Sequence, residues 1–109
     1  MNAVVELEYL AWTLDRVTDR GAELKRQVAA WCVGDRTVVD GQVDAMRTRY
    51  PHLHTTLLAD RNRAWVPRIV AMQTNREPSF VLVGDSHLSG DDGIPSLLAQ
   101  AGHATRRLT

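Results

Sequence analysis

Two stretches of the 109-residue chain gather residue types that can do chemistry, Gly84-Asp85-Ser86-His87 and Arg61-Asn62-Arg63-Ala64-Trp65. In the first, Asp85 and His87 supply a carboxylate and an imidazole, which can hold a metal ion or move a proton near neutral pH. Gly84 lets the backbone turn sharply or come close to another group. The same residues also fit a structural role, with Asp85 and Ser86 bonding loop amides and His87 covering the core. In the second stretch Arg61 suits a bidentate grip on a carboxylate or phosphate, next to the carboxamide of Asn62 and the indole of Trp65. The plainer alternative there is a solvated helix face over a buried Trp65.

The remaining candidates are weaker. Backbone amides in Ser89-Gly90-Asp91-Asp92-Gly93 could bind an anion ahead of a helix, but two aspartates oppose it. The stretch also lacks the oxygen spacing and closing Glu of a calcium loop, so it reads as a helix cap. His52 and His54, two residues apart, would point to different sides of a helix and make no metal pair. With His103 they are expected to be structural or exposed. Cys32 is the only cysteine, which excludes an intramolecular disulfide, and its neighbours Val28, Trp31 and Val33 suggest a small buried residue.

Helices must position these groups. Leu7, Leu10, Ala11, Leu14 and Val17 fall at helical spacing, with Glu6, Glu8, Asp15 and Arg16 on the other side. After a break at Asp19-Arg20-Gly21 the pattern resumes with Leu24, Val28, Trp31 and Cys32 and stops at Gly34, a residue suited to a left-handed helix end. A third helix with Val39, Val43 and Met46 on one face ends before Tyr50-Pro51, because proline pushes its predecessor out of helical geometry. A long helix starts near Leu53 with Leu57, Leu58, Trp65, Ile69 and Met72 on its apolar face. Pro67 removes the hydrogen bond to the carbonyl of Arg63, which predicts a kink between Asn62 and Trp65.

The period changes after Asn75-Arg76-Glu77-Pro78. Phe80-Val81-Leu82-Val83 is an unbroken apolar run, the pattern of a strand buried on both faces. Ile94, Leu97, Leu98 and Ala101 then make a short helix with Pro95 near its start and Gly102 past its end. Ala104 to Leu108 reads as an edge strand. The expected fold is therefore helix-rich α/β: four N-terminal helices followed by a small βαβ unit with two parallel strands. The turn at Gly84 to His87 falls at the carboxyl end of a strand, where open parallel sheets bind ligands.

One domain spanning residues 1–109 fits the length. Hydrophobic residues make up 44% and charged residues 24% of the chain, as in soluble globular proteins. No apolar run approaches a membrane span, and the start MNAVVELEYLAW carries acids where a secretory signal is basic, so a cytoplasmic location is expected. Thirteen basic and thirteen acidic residues cancel, which gives no electrostatic reason to bind nucleic acid or an anionic membrane. Lys25 is the only lysine, and the scattered arginines suggest GC-rich bacterial DNA.

Asp60 to Ile69, Phe80 to Gly90, Gly93-Ile94 and Leu97-Leu98 together resemble, in order and spacing, the C-terminal half of TraB/GumN proteins. The likeness extends weakly through Val5 to Glu8, Ala30-Trp31 and Gly34-Asp35. More remotely the chain is similar to the TIKI group of metal-dependent proteases. The family pattern has two Gly-x-x-His motifs, an acidic residue between them, and an Arg-Asn pair that completes the pocket. By resemblance Gly84 and His87 form the second motif and Arg61 and Asn62 the pair. His87, Arg61 and Asn62 are then the implied catalytic residues, His87 the implied ligand of a manganese, cobalt or zinc ion, and Gly84, Asp85 and Ser86 the substrate side. No earlier Gly-x-x-His exists in this sequence, and Asp85 replaces the usual small residue after Gly84. A catalytic zinc site uses about three protein ligands, so the resemblance implies an interacting module, a homodimer or a chain completed by a partner. The alternatives are a hydrolase assembled across an interface and a piece of a longer protein.

Overall fold

The computed structural model describes residues 2–17 and 20–108 and divides into two compact units, residues 1–56 and 57–109. The first unit holds four helices: α1 (Ala3–Val17), α2 (Arg20–Cys32), α3 (Thr37–Arg49) and the single turn α4 (Pro51–His54). The Asn2 side chain caps α1 by accepting a 3.0 Å hydrogen bond from the Val5 amide. Helix α2 already begins at Arg20, and Asp19 of the expected break lies outside the described residues. The end at Gly34 is as its sequence suggests. Its φ is +74°, the Gly34 amide donates to the Trp31 carbonyl, and the Asp35 amide donates to that of Ala30. Asp35 then accepts from the amide and hydroxyl of Thr37 and so starts α3. Tyr50, with φ −133° and ψ 64°, ends α3, and Pro51 opens α4.

Helices α1 and α2 turn their polar sides inward. Val5 and Leu53 are buried, and Glu8 lies between them, where its two oxygens accept hydrogen bonds from the Leu53 amide at 2.6 Å and from His52 Nδ1 at 2.9 Å. Partial burial works to raise the Glu8 pKa, but the hydrogen bonds from His52 and Leu53 and the nearby His52 charge outweigh it and hold the carboxyl below its ordinary value. One helical repeat further, Asp15 accepts a hydrogen bond from the Tyr50 hydroxyl and pairs with Arg49 at 3.2 Å. On α2, Glu23 accepts from the Gln42 carboxamide, and Gln27 donates to it. The apolar stripes expected to face the core are in solvent instead: Leu7 is 67% and Trp31 71% exposed, and Cys32 is exposed as well. Four contacts of Glu8 and Asp15 with the segment 49–53 set this orientation.

The second unit contains α5 (Asp60–Met72), a 3-10 turn (Asp85–Leu88) and α6 (Ile94–Gln100). A π-helical segment, Thr55–Ala59, crosses the boundary between the units in sequence. Helix α5 runs through Pro67, and residues 62–65 are regular α-helix, so the irregularity falls earlier than the kink expected from Pro67. Val66, Ile94 and Leu98 form the core of this unit, with Trp65, Ile69, Val70, Val83 and Leu97 packed around them.

The expected βαβ unit is absent: among the described residues there is no strand. Only the helix between the two expected strands forms, as α6 with Pro95 at its start and Gly102 in a left-handed conformation past its end. In the run 80–83, Val83 packs on the core, but Phe80 is 88% and Leu82 84% exposed. Residues 104–108 are exposed coil. A strand buried on both faces needs ladder partners and two covering layers, and two strands by themselves are at best marginal. The apolar run thus has strand composition without the surroundings that would make it one. No helix among the described residues is long and apolar enough to cross a membrane.

Candidate functional site

The two stretches singled out from the sequence meet in the second unit. Asn62, on the first turn of α5, is 1% exposed and makes three hydrogen bonds. Its Nδ2 donates to the carbonyl oxygens of Asp92 at 2.8 Å and His87 at 3.3 Å. Its Oδ1 lies 2.7 Å from His87 Nδ1. Carbonyl oxygens cannot donate, so the two of them fix which end of the carboxamide faces the loop. The other end, an oxygen, can only accept, so the proton of the neutral imidazole must sit on Nδ1. Nε2 is left with its lone pair, as a base or a ligand requires.

The loop that supplies the carbonyls is shaped by two close approaches. Gly90, with φ +76°, turns the chain, and the Gly93 amide donates back to the Gly90 carbonyl. A Cβ at Gly93 would lie 2.7 Å from the Ser89 oxygen and 2.9 Å from the carbonyl carbons of Leu88 and Ser89. Asp92, between them, points its carbonyl at Asn62 and its carboxylate at Arg63. Neither Gly93 nor the Asp92 carbonyl stands out in the sequence as a site group; the close spacing Gly90-Asp91-Asp92-Gly93 ahead of Pro95 is the signal that carries them.

His87 closes the 3-10 turn, half-buried, with its ring 4.8 Å from that of Trp65. Burial, and secondarily the positive charge of Arg61, push its pKa below the ordinary 6.5. As pH falls, the unfolded chain therefore takes up this proton before the folded chain does. The contribution of His87 to stability is full above about 6.5 and is lost as pH falls through that value toward the lower folded one. Denaturant midpoints at pH 8 and pH 5.5 are expected to differ more for the wild-type chain than for His87→Gln, and equal differences would contradict the burial of a neutral imidazole.

The other sequence-selected residues take lesser places. Arg61 is exposed and, among the described residues, has no ion-pair partner, whereas Arg63 pairs with Asp92. Gly84, with φ −62° and ψ 148°, precedes the 3-10 turn in a conformation open to any residue. Asp85 and Ser86 form the half-buried body of that turn. His52 is exposed against Glu8, His54 is buried, and His103 is half-buried. Among the described residues no three His, Cys, Asp or Glu side chains come together as a metal site. Among the described residues, His87 Nε2 stands without a second and third ligand beside it, and one imidazole nitrogen does not by itself fit the divalent ion that the resemblance implies.

Comparison with known proteins gives one match: a family model described as the TraB/PrgY/gumN family covers residues 1–107. No curated protein and no solved structure matches the chain.

Proposed function

The chain belongs to the TraB/PrgY/gumN family, and from that premise we propose that it is an interacting module, one that works as part of an assembly with a second polypeptide. The observation that carries this reading is the inverted dressing of α1 and α2: Glu8, Asp15, Glu23 and Gln27 bond to the rest of the first unit, while Leu7, Leu10, Leu14, Val17, Leu24, Val28 and Trp31 are exposed. Exposed apolar surface on this scale is costly unless a partner covers it. Light scattering on the purified chain is the test. A mass at least twice that of one chain, 12.2 kDa, is expected, and a strictly monomeric folded protein would defeat the proposal.

A second reading is favoured by the Asn62–His87 pair. In it the assembled protein is a hydrolase of the metal-dependent peptidase type, with the remaining ligands or acid supplied by another chain. His87 presents Nε2, and the guanidinium of Arg61, without an ion-pair partner among the described residues, orients an anionic part of the substrate. Micromolar binding of manganese, cobalt or zinc by the assembly, lost in His87→Ala, is the expected result. Absence of metal binding in a demonstrably assembled protein removes this reading and leaves the first.

A further inference from the structure

The carboxamide of Asn62 is held to the loop by two unequal bonds. Nδ2 donates to the Asp92 carbonyl at 2.8 Å, but to the His87 carbonyl only at 3.3 Å, which is long for an amide hydrogen bond. The Asp92 carbonyl is therefore the group that chiefly fixes which end of Asn62 faces the imidazole. Without it the carboxamide is free to turn over and present Nδ2 to His87. Nδ1 would then have to accept, and the proton of the neutral ring would sit on Nε2, the nitrogen that a base or a ligand needs bare.

Asp92 is held in turn by Arg63, the residue that follows Asn62 on α5. One loop residue thus sends its carbonyl to Asn62 and its carboxylate to the neighbouring arginine. Between the two contacts the backbone has little room to yield. The Gly93 amide donates to the Gly90 carbonyl, and backbone atoms of Leu88 and Ser89 crowd Gly93. Displacing the carboxylate therefore displaces the carbonyl with it. Arg63 also has a second acid within reach, since Asp60, one turn back on the same helix, lies 4.0 Å from Nη1. It can leave the loop without losing a carboxylate partner. The side chains of Arg63 and Asp92 are 55% and 27% exposed, so water and salt reach the pair.

Resting on the reading of Asn62 and His87 as a site, we infer that Arg63 and Asp92 are the positioning residues of His87. With the pair closed, Asn62 is locked and Nε2 is bare. With Arg63 turned to Asp60, the loop releases Asn62 and the two ring nitrogens exchange roles. The ion pair is thus a two-position clasp that sets where the site keeps its proton.

Long-range proton–nitrogen NMR spectra of the full chain, read at His87 at about pH 7.5 where the ring is neutral, test this directly. An ion pair that only stabilises the fold leaves the tautomer of the folded chain unchanged. The wild-type ring is expected to be protonated on Nδ1. Arg63→Met and Asp92→Ala are each expected to shift the ring-nitrogen signals toward the Nε2-protonated form, and Arg63→Lys, which keeps the charge, to return them to the wild-type pattern. A wild-type proton on Nδ1 that stays there in both Arg63→Met and Asp92→Ala overturns the positioning role and spares the reading of Asn62 and His87. A wild-type proton on Nε2 overturns both. Should a variant fail to fold, the wild-type chain decides alone. Raising KCl to about 1 M, where charges are screened beyond about 3 Å, is expected to increase the Nε2-protonated share, and an unchanged tautomer overturns the clasp.

Discussion

Asn62→Ala is expected to destabilise the second unit by about 3 kcal/mol, since it removes three hydrogen bonds from a fully buried site and strands their partners. The Asp92 and His87 carbonyls and His87 Nδ1 would each face a cavity where the carboxamide had been. Denaturant unfolding followed through amide signals of residues 60–100 measures the loss, and a change under about 0.5 kcal/mol, the level of ordinary surface substitutions, would contradict the role assigned to Asn62. Asn62→Asp separates the bonds to the loop from the bond to the imidazole. A carboxylate cannot donate to the loop carbonyls, so stability should again fall. It would, however, favour the imidazolium at 2.7 Å, so the His87 pKa should rise instead of lying below 6.5.

Gly93→Ala is expected to cost a similar amount, about 3 kcal/mol, near the upper end of what overpacking usually does. The atoms in the way are backbone of Leu88 and Ser89, which cannot swing aside as a side chain could. Relief requires the loop 88–93 to open, and that carries the Asp92 carbonyl away from Asn62. Thermal unfolding and the His87 titration should both respond. Gly84→Ala is the control. Its Cβ would lie at an ordinary 3.6 Å from His87 Cδ2, in a backbone conformation any residue adopts, so it should be close to neutral. Equal losses at the two positions would show that the loop geometry is misread.

Much of the helical layout is legible from local signals. Gly34, Tyr50-Pro51, Pro95 and Gly102 mark helix ends through their own backbone preferences, and the chain obeys them. The residues of the site were legible as types, and the family resemblance supplied Arg61, Asn62, Gly84 and His87 as a set. What the sequence does not carry is the partner of each polar atom. Asn62 and His87 are 25 residues apart, and only the folded loop shows that two carbonyls orient the carboxamide and thereby set the imidazole proton. The strand expected at Phe80 to Val83 failed for the same non-local reason, since apolar composition cannot say whether a ladder partner lies beside it. The apolar stripes of α1 and α2 are legible as stripes, but they lie in solvent and not on the core side that their periodicity leads one to expect. Helical periodicity identifies a face that seeks burial, and here specific hydrogen bonds of Glu8, Asp15 and Glu23 claimed the inside first.

The claim on which the site rests is that Asn62 holds His87 as a neutral imidazole protonated on Nδ1. Long-range proton–nitrogen NMR spectra of the wild-type chain at pH 7.5 test it most directly, because the two ring nitrogens of each tautomer have distinct shifts. A protonated Nδ1 with a bare Nε2 is the expected result, and a proton on Nε2 would contradict it.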